Sequence, residues 1–164
     1  MGQSNSEILV SKDFIFGYSP TVLTIKVHEL YNIQGEPGAQ DLDNLSSINN
    51  GINISGYGQS KKNFQSDVFK GKKMSWLIAK NDPNGEDEPY QLRLYSVTSK
   101  DPDFTFFPEN PLYSNSDNEI SAKVVKGNEG QIFYYNIQFI ISNGDGSNPK
   151  LYQIDPQLPM RVKE

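Results

Sequence analysis

Apolar and polar positions alternate with a period of two in most apolar stretches of the chain, which is the pattern of β-strands with one face in a core. These stretches are separated by clusters such as NDPNG, KGNEG and NGDGSNP, whose Gly, Pro, Asn and Asp residues favour turns. The residues that alternation places together on one strand face are Leu23, Ile25 and Val27; Ile52 and Ile54; Met74, Trp76 and Ile78; Leu92 and Leu94; and Phe133, Tyr135, Ile137, Phe139 and Ile141. Those predicted to be buried together in the core are Trp76, Ile78, Leu92, Leu94, Ile137 and Phe139. The pattern therefore predicts a set of short strands around a core.

Two of these strands carry additional information. In YQLRLYSV the apolar phase changes after Leu94, because Tyr95 and Val97 then share the opposite side, and such a change predicts a β-bulge. The segment QIFYYNIQFIIS has apolar residues on its second face as well, Tyr134 and Ile140. A strand that is apolar on both faces is predicted to be a central one.

The fold class predicted from this pattern is all-β, a single-domain antiparallel β-sandwich of roughly eight or nine strands. Residues 1–6 are predicted to form a flexible N-terminus and residues 7–164 the sandwich domain. Segment 28–51 lacks clear alternation, so it is either functional or contains a short element; the best helix candidate, around Gln40 to Ser47, lies within it. Shorter candidate strands are EILV near the start and residues 120–125, 150–154 and 159–162.

Charge and composition narrow the range of partners. The formal net charge is −5, and the chain has no cysteine. A net negative charge argues against nucleic acid and anionic membranes as partners, since both require a basic face. Disulfides and thiolate metal sites are excluded. The start of the chain shows no basic region followed by an apolar run, as a signal peptide requires, so we expect a cytoplasmic protein.

Catalytic designs are limited by the single histidine, His28. The sequence HELYN has Asn32 where a zinc protease motif requires its second histidine, and no G-x-S-x-G motif is present to supply a serine nucleophile. We interpret His28 as a residue at the end of a strand, because the segment HELYN follows directly on the alternating strand before it. No enzymatic activity and no cofactor are expected.

Two acidic, turn-like segments, NDPNGEDE and NGDGSN, offer oxygen atoms of the kind that Ca²⁺ binds. Neither has the spacing of a calcium-binding loop, so we predict solvated turns and no metal site. Sugar binding remains an alternative, because sugars need amide or carboxylate hydrogen bonds beside an aromatic ring. The candidate ligand-binding residues are Tyr57, Asp82, Asn84, Asp87, Tyr90, Asn143 and Asp145.

Several sequence blocks follow one another in a characteristic order between residues 52 and 162. GKKMSW, Gly71 to Trp76, follows SDVFK and is followed by the strand YQLRLY. FFPENP, the aromatic strand FYYNIQFII and the closing LYQIDPQL, with Asp155 and Pro156, come later. In this order the chain resembles the bacterial inclusion body proteins of the AidA/PixA type, small β-rich proteins with a G-[DK]-x-[IM]-x-W step in mid-chain.

The front of the chain departs from that family. It has TIKVHELYNIQGEPGAQDLDN where the family has an apolar strand running into an acidic and then Asn/Pro-rich segment, and Lys72 stands where Asp is usual. The family has no established catalytic residues, so none are transferred. The resemblance implies a non-catalytic protein that acts by self-association or protein–protein contact. We expect a homo-oligomer that uses the Tyr134 and Ile140 side of the aromatic strand, with a carbohydrate-binding, lectin-like module as the alternative.

Overall fold

The computed structural model describes residues 20–161, and this part of the chain is mostly β-structure in two five-stranded sheets. The strands are β1 (Thr21–Ile25), β2 (Ser46–Asn49), β3 (Ile54–Ser55), β4 (Lys73–Lys80), β5 (Tyr90–Ser99), β6 (Leu112–Tyr113), β7 (Glu119–Lys123), β8 (Ile132–Asn143), β9 (Lys150–Ile154) and β10 (Gln157–Pro159). The helices are α1 (Val27–Tyr31) and α2 (Ala39–Leu45), with a 3-10 turn at Lys61–Asn63. The predicted flexible residues 1–6, the predicted strand EILV and Val162 lie outside the described residues.

The first sheet has the strand order β3-β2-β1-β4-β7, and the second has β6-β5-β8 with β9 and β10 on the far edge of β8. The prediction of antiparallel pairing is wrong for one pair, because β1 and β4 are parallel. Parallel neighbours need a long crossover connection, and the chain between β1 and β4 supplies one that contains α1, α2, β2 and β3. The described residues contain ten strands, one more than the upper end of the predicted range.

Side chains from both sheets meet in a shared core. The Trp76 indole N–H on β4 donates a hydrogen bond of 3.2 Å to the Tyr135 hydroxyl on β8. The predicted inward face of β8 is confirmed, since all five of its residues are buried. Ile78 and Leu92 are partly buried and pack against this core. The position of β8 between β5 and the β9–β10 edge also confirms that it is a central strand.

Ile52 and Ile54, which alternation places on one side of a strand, are 61% and 62% exposed. Only Ile54 belongs to β3, whose other residue, Ser55, is buried, and Ile52 lies in the bend before this strand. Ser55 faces inward because its hydroxyl donates to the Ser60 carbonyl oxygen at 3.0 Å. Residues 52 to 54 therefore form an exposed edge of the first sheet.

The predicted β-bulge in β5 is confirmed, because the pairing with β8 shifts register between Leu94 and Ser96. Tyr95 is the extra residue, and it is exposed with its ring 5.7 Å from that of Tyr113. The bulge returns Val97 to the core side, opposite Ile137, so Tyr95 and Val97 do not share a face as the alternation had predicted.

Segment 28–51 contains short elements, as one of its two predicted alternatives required. The helix predicted around Gln40 to Ser47 is confirmed as α2, and β2 follows it directly. The prediction that His28 continues a strand is wrong, since Val27–Tyr31 form α1. No helix between Pro20 and Arg161 is long and apolar enough to cross a membrane.

Candidate functional site

The predicted site residues lie at one end of the two sheets, where several strands begin or end. β1 and β4 both end there, because Ile25 pairs with Lys80 in the parallel register. β5 begins there, at Tyr90, opposite Asn143 near the end of β8. α1 follows β1 and reaches across to β5. We call this region the strand-end cluster; its residues are Lys26, His28, Tyr31, Asn32, Tyr57, Asn81, Asp82, Asp87, Tyr90, Asn143 and Asp145.

Asp87 organises the cluster from within. It is only 1% exposed, and its two carboxylate oxygens accept the backbone N–H of His28 at 2.8 Å and that of Asp82 at 2.9 Å. Lys26 is the N-cap residue before α1 and its side chain makes no capping bond, so Asp87 supplies the missing acceptor for the first turn of the helix. The prediction of a solvated turn is therefore wrong for Asp87, because this side chain is buried and both of its oxygens are used inside the fold.

His28, Asn32 and Tyr90 form a hydrogen-bonded group at the surface. The Tyr90 hydroxyl lies 2.8 Å from His28 Nδ1, and Asn32 Nδ2 donates to the same hydroxyl at 3.0 Å. The hydroxyl accepts from Asn32, and its role toward His28 Nδ1, as donor or as second acceptor, follows the imidazole tautomer. His28 and Asn32 are exposed and Tyr90 is half-buried. The group therefore combines exposed polar atoms with a fixed aromatic ring.

The Tyr90 ring is held in place by two neighbouring rings. The Tyr31 ring centroid lies 5.3 Å away and that of His28 lies 5.8 Å away, both tilted. Tyr31 is itself fixed, because its hydroxyl donates to the Asn148 carbonyl at 2.6 Å and the Lys150 ammonium lies over its ring. These contacts orient Tyr90 before any ligand arrives, which lowers the entropic cost of binding.

Tyr57 joins the cluster from the loop after β3. Its hydroxyl donates to Asn81 Oδ1 at 2.8 Å, and the Lys26 ammonium lies 4.5 Å from its ring centroid. Partial burial, together with the negative charge of Asp87, raises the pKa of Tyr57 above its ordinary value. Tyr57 is thus a neutral, partly exposed hydroxyl at neutral pH.

The other predicted residues serve the local turns. The Asp82 carboxylate accepts the Glu86 N–H at 3.1 Å, and Asn84 is exposed near the tip of the same turn. The Asp145 carboxylate accepts both the N–H and the hydroxyl of Ser147, and these bonds lower the pKa of Asp145. Asn143 donates to the same Ser147 hydroxyl at 3.0 Å. Asn143 and Asp145 therefore stabilise the β8–β9 turn.

The chemistry of the strand-end cluster is that of a polar binding surface. Exposed imidazole and amide groups stand beside a half-buried aromatic ring, and this combination suits a ligand that has both hydroxyl groups and an apolar face. In the part of the chain that the structure describes, no three His, Asp or Glu side chains converge to hold a metal ion.

Sequence reasoning missed the role of α1 in this site. His28 and Asn32 are four residues apart and share a helix face, a spacing that identifies them as neighbours only once a helix is recognised. α1 has five residues, too few to show a helical period in the sequence. Its position depends on Asp87, which is 59 residues away along the chain.

Comparison with known proteins points to one fold. No protein-family model matches the chain, and no curated protein matches it. Among solved structures, the chain is similar to the crystal structure of the inclusion body protein PixA from Burkholderia cenocepacia, with a TM-score of 0.54 and 11% sequence identity. The match covers 87% of this chain and 95% of that chain. At this identity the likeness concerns the fold, and at that level it confirms the predicted resemblance to PixA-type proteins.

Proposed function

We propose that the chain is a non-catalytic, cytoplasmic protein of the inclusion body type that acts by self-association. The fold likeness to a solved inclusion body protein supports the type, and the outward side of the second sheet supports the mode of action. In this proposal the two sheets are the layers of a β-sandwich, and copies of the chain meet through the second layer.

The observation that carries the proposal is a set of apolar side chains on that layer, which we call the outward face: the exposed Tyr95, Tyr113, Tyr134 and Leu151, and the half-buried Ile140. Tyr134 is 48% exposed and Leu151 is 51% exposed. Ile140 pairs directly with Leu151 across β8 and β9, and its neighbours Phe139 and Ile141 point into the core. Exposed aromatic and aliphatic side chains on one sheet face are typical of protein–protein contact surfaces.

The charges on this side of the sheet oppose association only weakly. The ion pair of Lys100 and Asp155, with 2.8 Å between Nζ and Oδ2, neutralises two of them. Gln138 and Gln153, joined by a side-chain hydrogen bond, add uncharged polar surface. Arg93 is exposed opposite Ile140 on the same face and forms no ion pair within residues 20–161. A second copy that stacks on the outward face, most simply about a two-fold axis, must therefore leave Arg93 at the solvent-exposed rim or place a carboxylate opposite it.

Sedimentation velocity at micromolar concentration tests this proposal. The double variant Tyr134→Lys with Leu151→Lys places two charges in the proposed contact, so we expect its association to be at least about tenfold weaker than that of the wild type. Ile52→Lys with Ile54→Lys is the matched control, because it changes two exposed apolar residues at and beside the edge strand of the other sheet. A monomeric wild type, or an equal loss of association in the control, would contradict the proposal.

Carbohydrate binding is the second candidate function, and it is favoured by the group of His28, Asn32 and Tyr90 in the strand-end cluster. A glycan array is the appropriate test. If sugars bind there, Asn32→Ala should abolish the binding, because this exposed amide is lost without disturbing the core. Tyr95→Ala serves as control, since Tyr95 is an exposed tyrosine on the outward face. Equal binding by wild type and Asn32→Ala would exclude this site.

A further inference from the structure

A groove runs along β9 and is lined from both sides of that strand, by residues beyond its free edge and by Asn136 of β8 and Ser99 of β5. Its volume is about 920 Å³, near the upper end of the usual range for ligand sites. One wall is formed by α2, including its residue Leu42, and by the residues just before this helix. The ion pair of Lys100 and Asp155 closes one end of the groove. The floor is the edge of β9, from Leu151 to Asp155.

The backbone of β9 presents unused hydrogen-bonding groups to this groove. The N–H of Tyr135 on β8 donates to the Pro156 carbonyl, so the even-numbered residues of this edge strand point their N–H and C=O groups at β8. Because these groups alternate in direction along a strand, those of Leu151 and Gln153 point into the groove. Among residues 20–161, no group donates to or accepts from the backbone of Leu151 or Gln153.

The same edge already accepts an added strand a few residues further along. Segment 64–68 runs parallel to β10: Ser66 N–H donates to the Gln157 carbonyl at 3.2 Å, and Gln157 N–H donates to the Phe64 carbonyl at 2.9 Å. Before Phe64 the chain turns away into the 3-10 turn at Lys61–Asn63. The added strand therefore stops where the groove begins, and between Pro20 and Arg161 no other segment pairs with the edge from Asp155 to Leu151.

We propose that the edge of β9 in this groove binds an extended peptide segment of a partner protein by strand addition. A row of alternating backbone donors and acceptors is complemented best by another extended backbone. The wall that α2 forms favours a single free segment over the edge strand of another folded domain. Leu42 and Leu151 provide apolar contacts for side chains on one side of the segment. Lysines and carboxylates both border the groove, which favours a peptide of mixed or no charge.

Selection from a library of random peptides of about eight residues tests the proposal. Gln153→Pro removes an N–H that points into the groove, and proline is tolerated on an edge strand where its nitrogen faces away from the sheet. We expect peptides selected on the wild type to bind Gln153→Pro at least about tenfold more weakly. Gln153→Val, which keeps the N–H, should bind as the wild type does.

A second measurement uses the wild-type protein only, so that it does not depend on the folding of Gln153→Pro. N-methylation of alternate residues of a selected peptide should abolish binding in one phase and leave it intact in the other. The proposal is overturned by equal binding to Gln153→Pro, by tolerance of both methylation phases, or by a library that yields no binder. Two further results would also overturn the proposal: peptide binding that requires deletion of residues 1–19, or a Gln153→Pro variant that is monomeric where the wild type is oligomeric. In either case the segment that occupies the groove belongs to this chain and not to a partner protein.

Discussion

Two buried charged side chains, Asp87 and Lys61, connect backbone segments that are not joined by strand pairing. Asp87 joins the start of α1 to the β4–β5 turn through two backbone N–H groups. Lys61 is fully buried, and its ammonium donates to the carbonyl oxygens of Asp43, Gly56 and Gln59. In each case one side chain satisfies several backbone groups, so we expect both residues to matter for stability beyond their size.

Asp87→Ala leaves the N–H groups of His28 and Asp82 without acceptors. We expect the free energy of unfolding to fall by about 2 to 3 kcal/mol, because polar groups in a partly buried position lose their bonds. Chemical denaturation measures the change. Glu86→Ala is the matched control, since Glu86 is an exposed carboxylate of the same turn. A stability loss equal to that of the control would refute the capping role of Asp87.

Lys61 predicts a pH dependence of stability. Burial lowers its pKa to about 8, while the Asp43 carboxylate acts in the opposite direction. The unfolded chain then binds more protons than the folded one between this value and the ordinary lysine pKa of about 10.4, so stability should rise with pH in that window. We expect a gain of about 1 to 2 kcal/mol between pH 8 and 10. Lys61→Met should lack this gain; if it shows the same pH profile as the wild type, Lys61 is not the titrating group.

At the scale of the elements, β8 organises the second sheet. It pairs with β5 on one side and with β9 and β10 on the other. Phe139 lies in its buried row, with the ring stacked on that of Tyr152 at 5.4 Å. The strand therefore connects the core to both edges of the sheet.

Phe139→Ala should lower the free energy of unfolding by about 3 to 5 kcal/mol, because it removes a fully buried ring and leaves a cavity against Tyr152. Tyr134→Ala, on the exposed face of the same strand, should cost less than about 1 kcal/mol. Thermal or chemical unfolding of the two variants measures the difference. Equal losses would mean that the inward face of β8 is assigned incorrectly.

The elements differ in how far the sequence predicts them. The buried row of β8 and the bulge at Tyr95 follow from local alternation, which depends only on neighbouring residues. The parallel pairing of β1 with β4 and the formation of α1 depend on residues far away in the chain, and alternation contains no information about them. The sequence-predicted site residues do lie at one end of the sheets, but Asp87, Asn143 and Asp145 proved to be tied up in backbone and turn contacts.

At the scale of the whole molecule, the two sheets differ in where they expose apolar side chains to solvent. The first sheet exposes Ile52 and Ile54 at one edge strand, whereas the second exposes apolar residues across its face. A sheet face offers a broader contact than a two-residue edge strand does. We therefore propose the outward face, and not the edge of the first sheet, as the surface for contact between copies.

Site-specific spin labelling tests this placement most directly, and the chain suits the method because it has no native cysteine. Tyr134→Cys places a label on the outward face, and Ile54→Cys places one on the exposed edge of the first sheet. If copies associate through the outward face, we expect a strong dipolar coupling between the labels of two copies at position 134 and a much weaker coupling at position 54. A strong coupling at position 54 with none at position 134, or no intermolecular coupling at either position, would contradict this placement.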